Sequence, residues 1–479
     1  MDALDLARWQ FGITTVYHFL FVPLTIGLSS LVAGMQTAWV RTGNERWLKL
    51  TKFYGKLFLI NIAMGVVTGI VQEFQFGMNW STYSRFVGDI FGAPLAIEAL
   101  LAFFLESTFI GLWIFGWERL PKRIHLATIW LTAIGTLLSA YFILVANSWM
   151  QHPVGFTYDA ARGRAELTDF PAVLTNKVAL ITFPHTVAGC FLTAGALVLA
   201  VALWHTIRRP DSPDRAAFRS AVKVGAWTTL VAAVALAVTG DIQGKIMTDV
   251  QPMKMAAAEA LYDNAQPAPF SVFTVGTLDG SRPLYSLDVP DLLSFLATGS
   301  FNGDVQGIND LQAQYEQTYG PGNYKPIIPV TYWTFRLMIG VGMLAALGAL
   351  WALWALRRGR TPGDPGTGKW ATRGTKWLLR AAILLPFLPL AANSFGWIFT
   401  EMGRHPWIVF GQLQPAAGVS PPVATGTVAT SLIVFTLLYG ALAVVEVKLM
   451  LRGIRGGLPD VTPPPAAEET EDQPLAFAY

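Results

Sequence analysis

Charge is scarce in this chain. Asp, Glu, Lys and Arg make up 14% of its 479 residues against 53% hydrophobic ones, and the mean hydropathy is +0.44. Such a composition implies no separate water-soluble core. Cysteine is scarcer still. Cys190 stands alone, which excludes an internal disulfide framework and a clustered-thiolate metal site within the chain; its ordinary reading is a small buried apolar residue. No convincing internal repeat is present, which weakens an inverted-repeat transporter reading. The basic residues behind a pI near 8.8 gather at the ends of apolar segments rather than on one face, so they mark membrane orientation and not nucleic-acid binding.

What the chain has in quantity is apolar runs. About 20 apolar residues are the unit that crosses a bilayer as a helix. Nine such runs are present, near 15–40, 53–76, 92–117, 125–147, 178–205, 220–239, 331–356, 376–399 and 424–447. The expected fold is therefore all-α, a polytopic integral membrane bundle of about nine transmembrane helices. The first run is too long and, with Arg8 alone ahead of it, too weakly basic for a cleaved signal peptide, and is expected to be retained. Lysine and arginine cluster at 41–56, 119–123, 208–223, 357–380 and 448–455. These alternate loops hold about two-thirds of the basic residues, which puts the amino terminus outside and the carboxyl terminus in the cytoplasm. The organisation that follows is helices 1–6 in 1–239, a long extracytoplasmic loop in 240–330, helices 7–9 in 331–450 and a disordered cytoplasmic tail in 451–479. Within the loop, Thr248 to Leu261 and Asn309 to Thr318 suit short helices. The tail carries three prolines at 463–465 beside Glu468, Glu469, Glu471 and Asp472.

Against this background His18, His185, Glu98, Glu106 and Glu401 stand out, because an ionisable group in hydrocarbon costs roughly 2.5–3.5 kcal/mol on insertion scales. Such residues ligate something, carry protons or line a pathway. Histidine and methionine are ligand types that hold haem iron, and the pair fills both axial positions of a low-spin, electron-transferring haem. By residue type alone, His185 with a methionine reads either so or as a histidine bonded to a neighbouring backbone or serine. On a regular helix Glu98 and Glu106 lie about 12 Å apart along the axis and about 80° apart around it, so they suit successive stations of one polar path but cannot touch. Trp397 is one turn before Glu401. His125 and His205 are expected at solvated helix ends, and His152 in a loop; none of the three is placed as a ligand.

Seven segments carry a closer likeness: RWQFGxTTxYHFLFVPLTIG at 8–27, EFQFGMNW at 73–80, Gly92 through Glu106, ANSWMQHPVG at 146–155, FPHT at 183–186, TYWTFRLMIG at 331–340 and GWIFTEMGRHPW at 396–407. In this order, over nearly the whole length, the chain resembles subunit I of the cytochrome bd-type quinol oxidases, of the short quinol-loop type. The resemblance implies a bacterial plasma-membrane respiratory enzyme that oxidises quinol, ubiquinol or menaquinol, and reduces O2 to water, electrogenic without a proton pump.

It further implies His185 and Met338 as the ligands of haem b558, with Arg336 beside them; an interfacial anchor is the plainer reading of that arginine. It implies His18 and Glu401 as ligands of the high-spin haems b595 and d, with haem d assigned to His18. Trp397 matches a tryptophan between haems, with an aromatic membrane anchor as its rival. Ser139 matches a position in the proton route, with a bond to its own helix backbone as its rival; Glu98 matches a position close to the high-spin haems, Glu106 stays a station of the same polar path, and Asn147 is a candidate partner near it. QPMKMAAAE at 251–259 matches the quinol-sensitive segment, with Lys254 as donor to a quinone oxygen and Glu259 as proton acceptor. Five residues apart they lie about 140° around a helix, which does not favour a salt bridge between them, and a solvated amphipathic helix is the plainer alternative. His405, in GRHPW, departs from the family pattern and is not a ligand. Glu73 reads as structural. A second subunit and a small single-span subunit are the implied partners. The rivals are a b-haem-only, cyanide-insensitive relative and, more distantly, a proton-coupled transporter.

Overall fold

The computed structural model describes residues 2–357, 369–421 and 423–461. Among them nine segments are helical, long and apolar enough to cross a membrane, the number expected. Local chemistry sets their ends. Asp2 opens α1 (Ala3–Phe19) by accepting the Asp5 N–H at 2.8 Å. Then α2 (Phe21–Thr42) stops at Gly43, where φ is 66°, and Asn44 caps α3 (Glu45–Met78) from the other side. The first apolar run is thus two helices broken at Leu20 rather than one. Pro23 has no N–H to return to the Phe19 carbonyl and its ring crowds that oxygen, so the break falls one turn ahead of it.

The third span is composite: α4 (Ser81–Ile97), a π-helical turn over Glu98–Phe103, and α5 (Phe104–Phe115). Its wide turn corrects the 80° offset expected between Glu98 and Glu106, because that figure assumes regular α-helical rotation throughout. After α6 (Lys122–Gln151) comes a hairpin of β1 (Phe156–Asp159) and β2 (Arg164–Leu167). The short α7 (Phe170–Leu174), α8 (Lys177–Arg208) and α9 (Arg215–Val250) follow. The long loop holds α10 (Pro252–Glu259), an antiparallel hairpin of β3 (Phe270–Gly276) and β4 (Pro283–Val289), α11 (Leu292–Thr298) and α12 (Ile308–Tyr319). The two hairpins are an addition to the all-α expectation; both lie outside the spans. The remaining elements are α13 (Ile328–Leu356), α14 (Lys369–Leu384), α15 (Phe387–Met402), α16 (Pro415–Gly418) and α17 (Thr425–Gly456). Pro386 separates α14 from α15. The last helix runs to Gly456, past the expected boundary at 450, and residues 462–479, where the tail is expected, lie outside the described residues.

At the centre stands α8, the most enclosed span. Small residues let its neighbours approach: a Cβ on Gly225 of α9 would come within 2.5 Å of the Leu199 nitrogen, and one on Gly27 of α2 within 2.4 Å of the Ala194 Cβ. In a bilayer, where lipid is as apolar as leucine, such close backbone packing holds helices together.

Candidate haem-binding and redox site

Two histidines are held in the same way on different helices. His18, in the last turn of α1, bonds through Nδ1 to Thr68 Oγ1 of α3 at 2.9 Å, and His185 of α8 bonds through Nδ1 to Thr239 Oγ1 of α9 at 2.9 Å. Each threonine donates its hydroxyl hydrogen backwards along its own helix, Thr68 to the Met64 carbonyl at 3.0 Å and Thr239 to Ala235 at 2.7 Å. Each hydroxyl must then accept from the ring, which places the proton on Nδ1 and leaves Nε2 with its lone pair for a metal. A glycine follows each threonine. A Cβ on Gly69 would meet His18 Cε1 at 3.2 Å, and one on Gly240 would meet His185 Cε1 at 3.4 Å. The Thr-Gly pairs are in the sequence, but only the folded chain shows that they serve the histidines.

Met338 stands on α13 with its sulfur against α15, where a Cβ on Gly396 would come within 2.8 Å of Sδ. Two residues earlier on α13, Arg336 donates to Glu259 Oε2 at 2.6 Å and to Oε1 at 3.3 Å. It also donates to the Ser271 carbonyl from Nε at 2.9 Å and from Nη2 at 2.5 Å. Its guanidinium carbon is 4.7 Å from the centre of the Phe270 ring and 4.8 Å from that of Tyr332. Burial pushes the Glu259 carboxyl up, the Arg336 charge and hydrogen bond pull it back, and the net position is about 7.

Glu401, near the end of α15, accepts from Asn147 Nδ2 at 2.8 Å and from Arg404 Nη2 at 2.5 Å. One turn earlier Trp397 stacks on Phe19, the neighbour of His18, with ring centroids 5.1 Å apart and 21° between planes. The Trp397 indole N–H is buried and has no hydrogen-bond partner among the described residues. Lys254 joins this side of the molecule. Its ammonium donates to Gln151 Oε1 at 3.0 Å and to the Thr400 carbonyl at 2.8 Å. The structure therefore separates Lys254 and Glu259: the first reaches the helix of Glu401, the second the arginine beside Met338. Both side chains are buried, so α10 is not a solvated amphipathic helix. Burial first, then Arg404, pushes the Lys254 amine down to about 7 against the pull of Glu401.

Glu98 of the third span accepts from Ser139 Oγ of α6 at 2.5 Å, so the serine looks across to the carboxylate. Glu98 opens the π turn, and Glu106 lies beyond it where α5 presses on α6: a Cβ on Gly135 would come within 3.1 Å of the Glu106 nitrogen. His405 accepts from Arg8 Nη2 at 3.0 Å and is pushed down to about 4 by burial, then by Arg8 and Arg404. The expectation for His125 and His205 needs correcting. Both are buried rather than solvated: His125 bonds Gln36 and the Trp113 carbonyl, and His205 bonds the Ile454 carbonyl. Basic neighbours in the sequence suggest a wet helix end, but these rings turn inward against neighbouring helices.

The spans and the inward-facing imidazoles and carboxylates define a polytopic membrane protein whose chemistry lies within its helices. The family model for cytochrome bd terminal oxidase subunit I matches residues 6–458, and the chain belongs to that family. It is 46% identical to cytochrome bd ubiquinol oxidase subunit 1 of Bacillus subtilis (strain 168) over 458 residues, which cover 95% of this chain and 94% of that one. It is 37% identical to cytochrome bd-II ubiquinol oxidase subunit 1 of Escherichia coli (strain K12), over 95% of this chain and 97% of the relative. Among solved structures the bd oxidase of Geobacillus thermodenitrificans superposes with a TM-score of 0.83 and 26% identity, covering 95% of this chain and 99% of that one.

Membership of a cytochrome family makes haem the group to test against these residues, and they fit it. Among the described residues no three His, Cys, Asp or Glu side chains converge as a metal cluster would need. Isolated axial donors suit a macrocycle that brings four nitrogens of its own. Two imidazoles with Nε2 left to donate, a thioether against a glycine and an unpartnered buried indole N–H are consistent with such groups.

Proposed function

We propose that this chain is the haem-bearing subunit I of a terminal respiratory oxidase that takes electrons from membrane quinol and reduces O2 to water. The observation that carries the reading is the repeated His–Thr arrangement, which prepares two separate imidazoles for iron. When bound, haem supplies one-electron steps between the two-electron donor and the four-electron reduction of oxygen. His185 and Met338 would hold haem b558, and His18 and Glu401 the high-spin haems b595 and d, with haem d assigned to His18. Arg336 fixes a positive charge about half a turn before Met338 on the same helix, and Trp397 stacks on Phe19 between the His18 and Glu401 helices.

Quinol oxidation releases protons as well as electrons, and Glu259 is placed to accept one. A carboxyl near 7 takes up and gives away a proton at neutral pH with little bias, the condition general acid–base transfer favours. Arg336 holds it in place and keeps its charged form tolerable when buried. The separation of Lys254 makes Glu259 the residue we assign to the donor's hydroxyl, with Lys254 acting from the Glu401 side. Protons for water formation are drawn along Glu98, Ser139 and Glu106, where the short Ser139–Glu98 bond is a ready transfer step between neighbouring helices. With release outside and uptake from the cytoplasm, the reaction is electrogenic without a pump. This orientation follows the lysine and arginine distribution.

As a family subunit I the chain partners a subunit II in the plasma membrane; the small single-span subunit is part of the proposal. The test is a reduced-minus-oxidised spectrum of the purified complex with haem extraction. Low-spin b bands lost in His185→Ala, and a red-shifted chlorin band lost in His18→Ala, are expected. Haem b without any chlorin in the wild type would instead favour a b-only oxidase.

A further inference from the structure

The hairpin of β3 and β4 is amphipathic in the reverse of the usual sense. The polar side chains of β3 turn inward while those of β4 stay exposed: Ser271 Oγ is 2.6 Å from Thr274 Oγ1 and 2.8 Å from the Tyr332 hydroxyl, and Thr274 is 2.8 Å from the exposed Ser286 Oγ. Ser271 and Thr274 are buried. The outward face is apolar. Register pairs Phe273 with Leu287 and Val275 with Tyr285, so these four share one face. Their exposures are 42%, 53%, 39% and 59%, and Val289 is exposed beside them. A hairpin bathed in water would show the opposite pattern, polar out and apolar in.

Its position explains the inversion. The tip lies at the start of α13, where a Cβ on Gly280 would come within 3.0 Å of the Ile328 Cβ. The base lies two turns further along that span, where Arg336 bonds the Ser271 carbonyl. Between them Phe273 packs edge-on against Trp333, with ring centroids 5.3 Å apart. Trp333, only half-buried, suits the interfacial aromatic position of a membrane helix, whereas Tyr332 is buried beneath the hairpin. The hairpin therefore runs alongside about 12 Å of a membrane-crossing helix at 1.5 Å per residue, with its apolar face covered only where Phe273 meets Trp333 and otherwise left open.

We propose that this face is inserted into the membrane interface on the long-loop side, with Leu287 and Phe273 deeper than Tyr285 and Val275, and Leu278 at the tip the shallowest. The occupant is lipid acyl chain and glycerol region. The hairpin's outward face adjoins Trp333 of the membrane-crossing α13, and its Ser271 end flanks the Glu259–Arg336 pair. A consequence, which rests on the quinol reading above, is that a lipid-dissolved donor passes the hairpin base to reach Glu259.

The test uses the purified complex in phosphatidylcholine–phosphatidylglycerol nanodiscs, with single cysteines at Leu287, Tyr285 and Leu278 carrying an environment-sensitive fluorophore. Cys190, the one native cysteine of this chain, is fully buried, and the complex without introduced cysteines, labelled in parallel, sets the background. Glu316→Cys on α12 is the control, exposed to water. Doxyl-labelled phosphatidylcholine is expected to quench about half the emission at 287, less at 285, little at 278 and none at 316, the order of an interfacially seated element. Water-like, unquenched emission at 287 and 285 overturns the placement. Blue-shifted but unquenched emission overturns it too, in favour of a protein partner covering the face. The readout needs no turnover, so failure here is distinguishable from failure of the quinol reading.

Discussion

Replacing Arg336 by methionine isolates the most informative interaction in the molecule. The wild-type guanidinium spans Glu259 and the Ser271 carbonyl, and the two side chains of the pair are only 12% and 3% exposed. Removing one partner of a buried ion pair leaves the other charge without compensation, which costs about 3–5 kcal/mol. Glu259 escapes part of that cost by holding a proton, since burial pushes it up to about 7 even against the pull of Arg336 and further up once the arginine is gone. Arg336→Met should therefore lower the thermal midpoint of the purified complex. Glu259→Gln alone should cost less, because an amide still accepts from the arginine. The double variant should be more stable than the sum of the two predicts, with a coupling on the order of 1–3 kcal/mol. The assay is tryptophan fluorescence against temperature for all four proteins in one detergent. Additive midpoint shifts would show that the two side chains do not depend on each other, and would refute both the pair and the role given to Arg336 in keeping Glu259 usable.

Other consequences are as direct. Thr239→Val removes the acceptor of the His185 Nδ1 proton with little change of shape, and should weaken haem retention at that histidine by about tenfold while sparing the His18 site, with Thr68→Val doing the reverse; haem-to-protein ratios and difference spectra read this, and equal loss at both sites would contradict it. Ser139→Ala should leave the spectra intact and slow oxygen consumption about tenfold or more, as loss of a positioned proton carrier does; unchanged turnover would remove Ser139 from the route. Lys254 gives a pH dependence. Its folded pKa of about 7 lies below the unfolded 10.5, so its contribution to stability is fully present above 10.5 and lost as pH falls through 7. Lys254→Met should accordingly stabilise the complex most below pH 7 and least near pH 10 in midpoint measurements, and a pH-independent difference would show that the buried amine does not titrate there.

Much of the bundle is legible in the sequence because hydrocarbon leaves little choice: a chain crossing it must satisfy its own backbone, so apolar length alone marks the nine spans. What length does not carry is the local geometry that places chemistry. Pro23 announces the break at Leu20 only once helix on both sides of it is assumed. The π turn at Glu98 has no composition of its own; the sequence shows Pro94 ahead of it and nothing else. His125 and His205 mislead because lysine and arginine neighbours in the chain are not neighbours of the ring. The Glu259–Arg336 pair lies 77 residues apart and Asn147–Glu401 lies 254 apart. Pairs at such separations have no periodicity to betray them.

The same contrast explains why Lys254 and Glu259 invite a common assignment from the sequence and separate ones from the fold. On one short helix they look like two contacts for one small molecule. Packed between α13 and α15 sides of the bundle, α10 sends the amine toward Thr400 and the carboxylate toward Arg336. A helix that ties the loop to both places couples them mechanically: on the proposed assignment of the donor to Glu259, any displacement of α10 there would also strain the Lys254 bonds beside Glu401. The carboxylate at Arg336 and the Glu401 helix end are then linked through the backbone of one short helix, Pro252–Glu259.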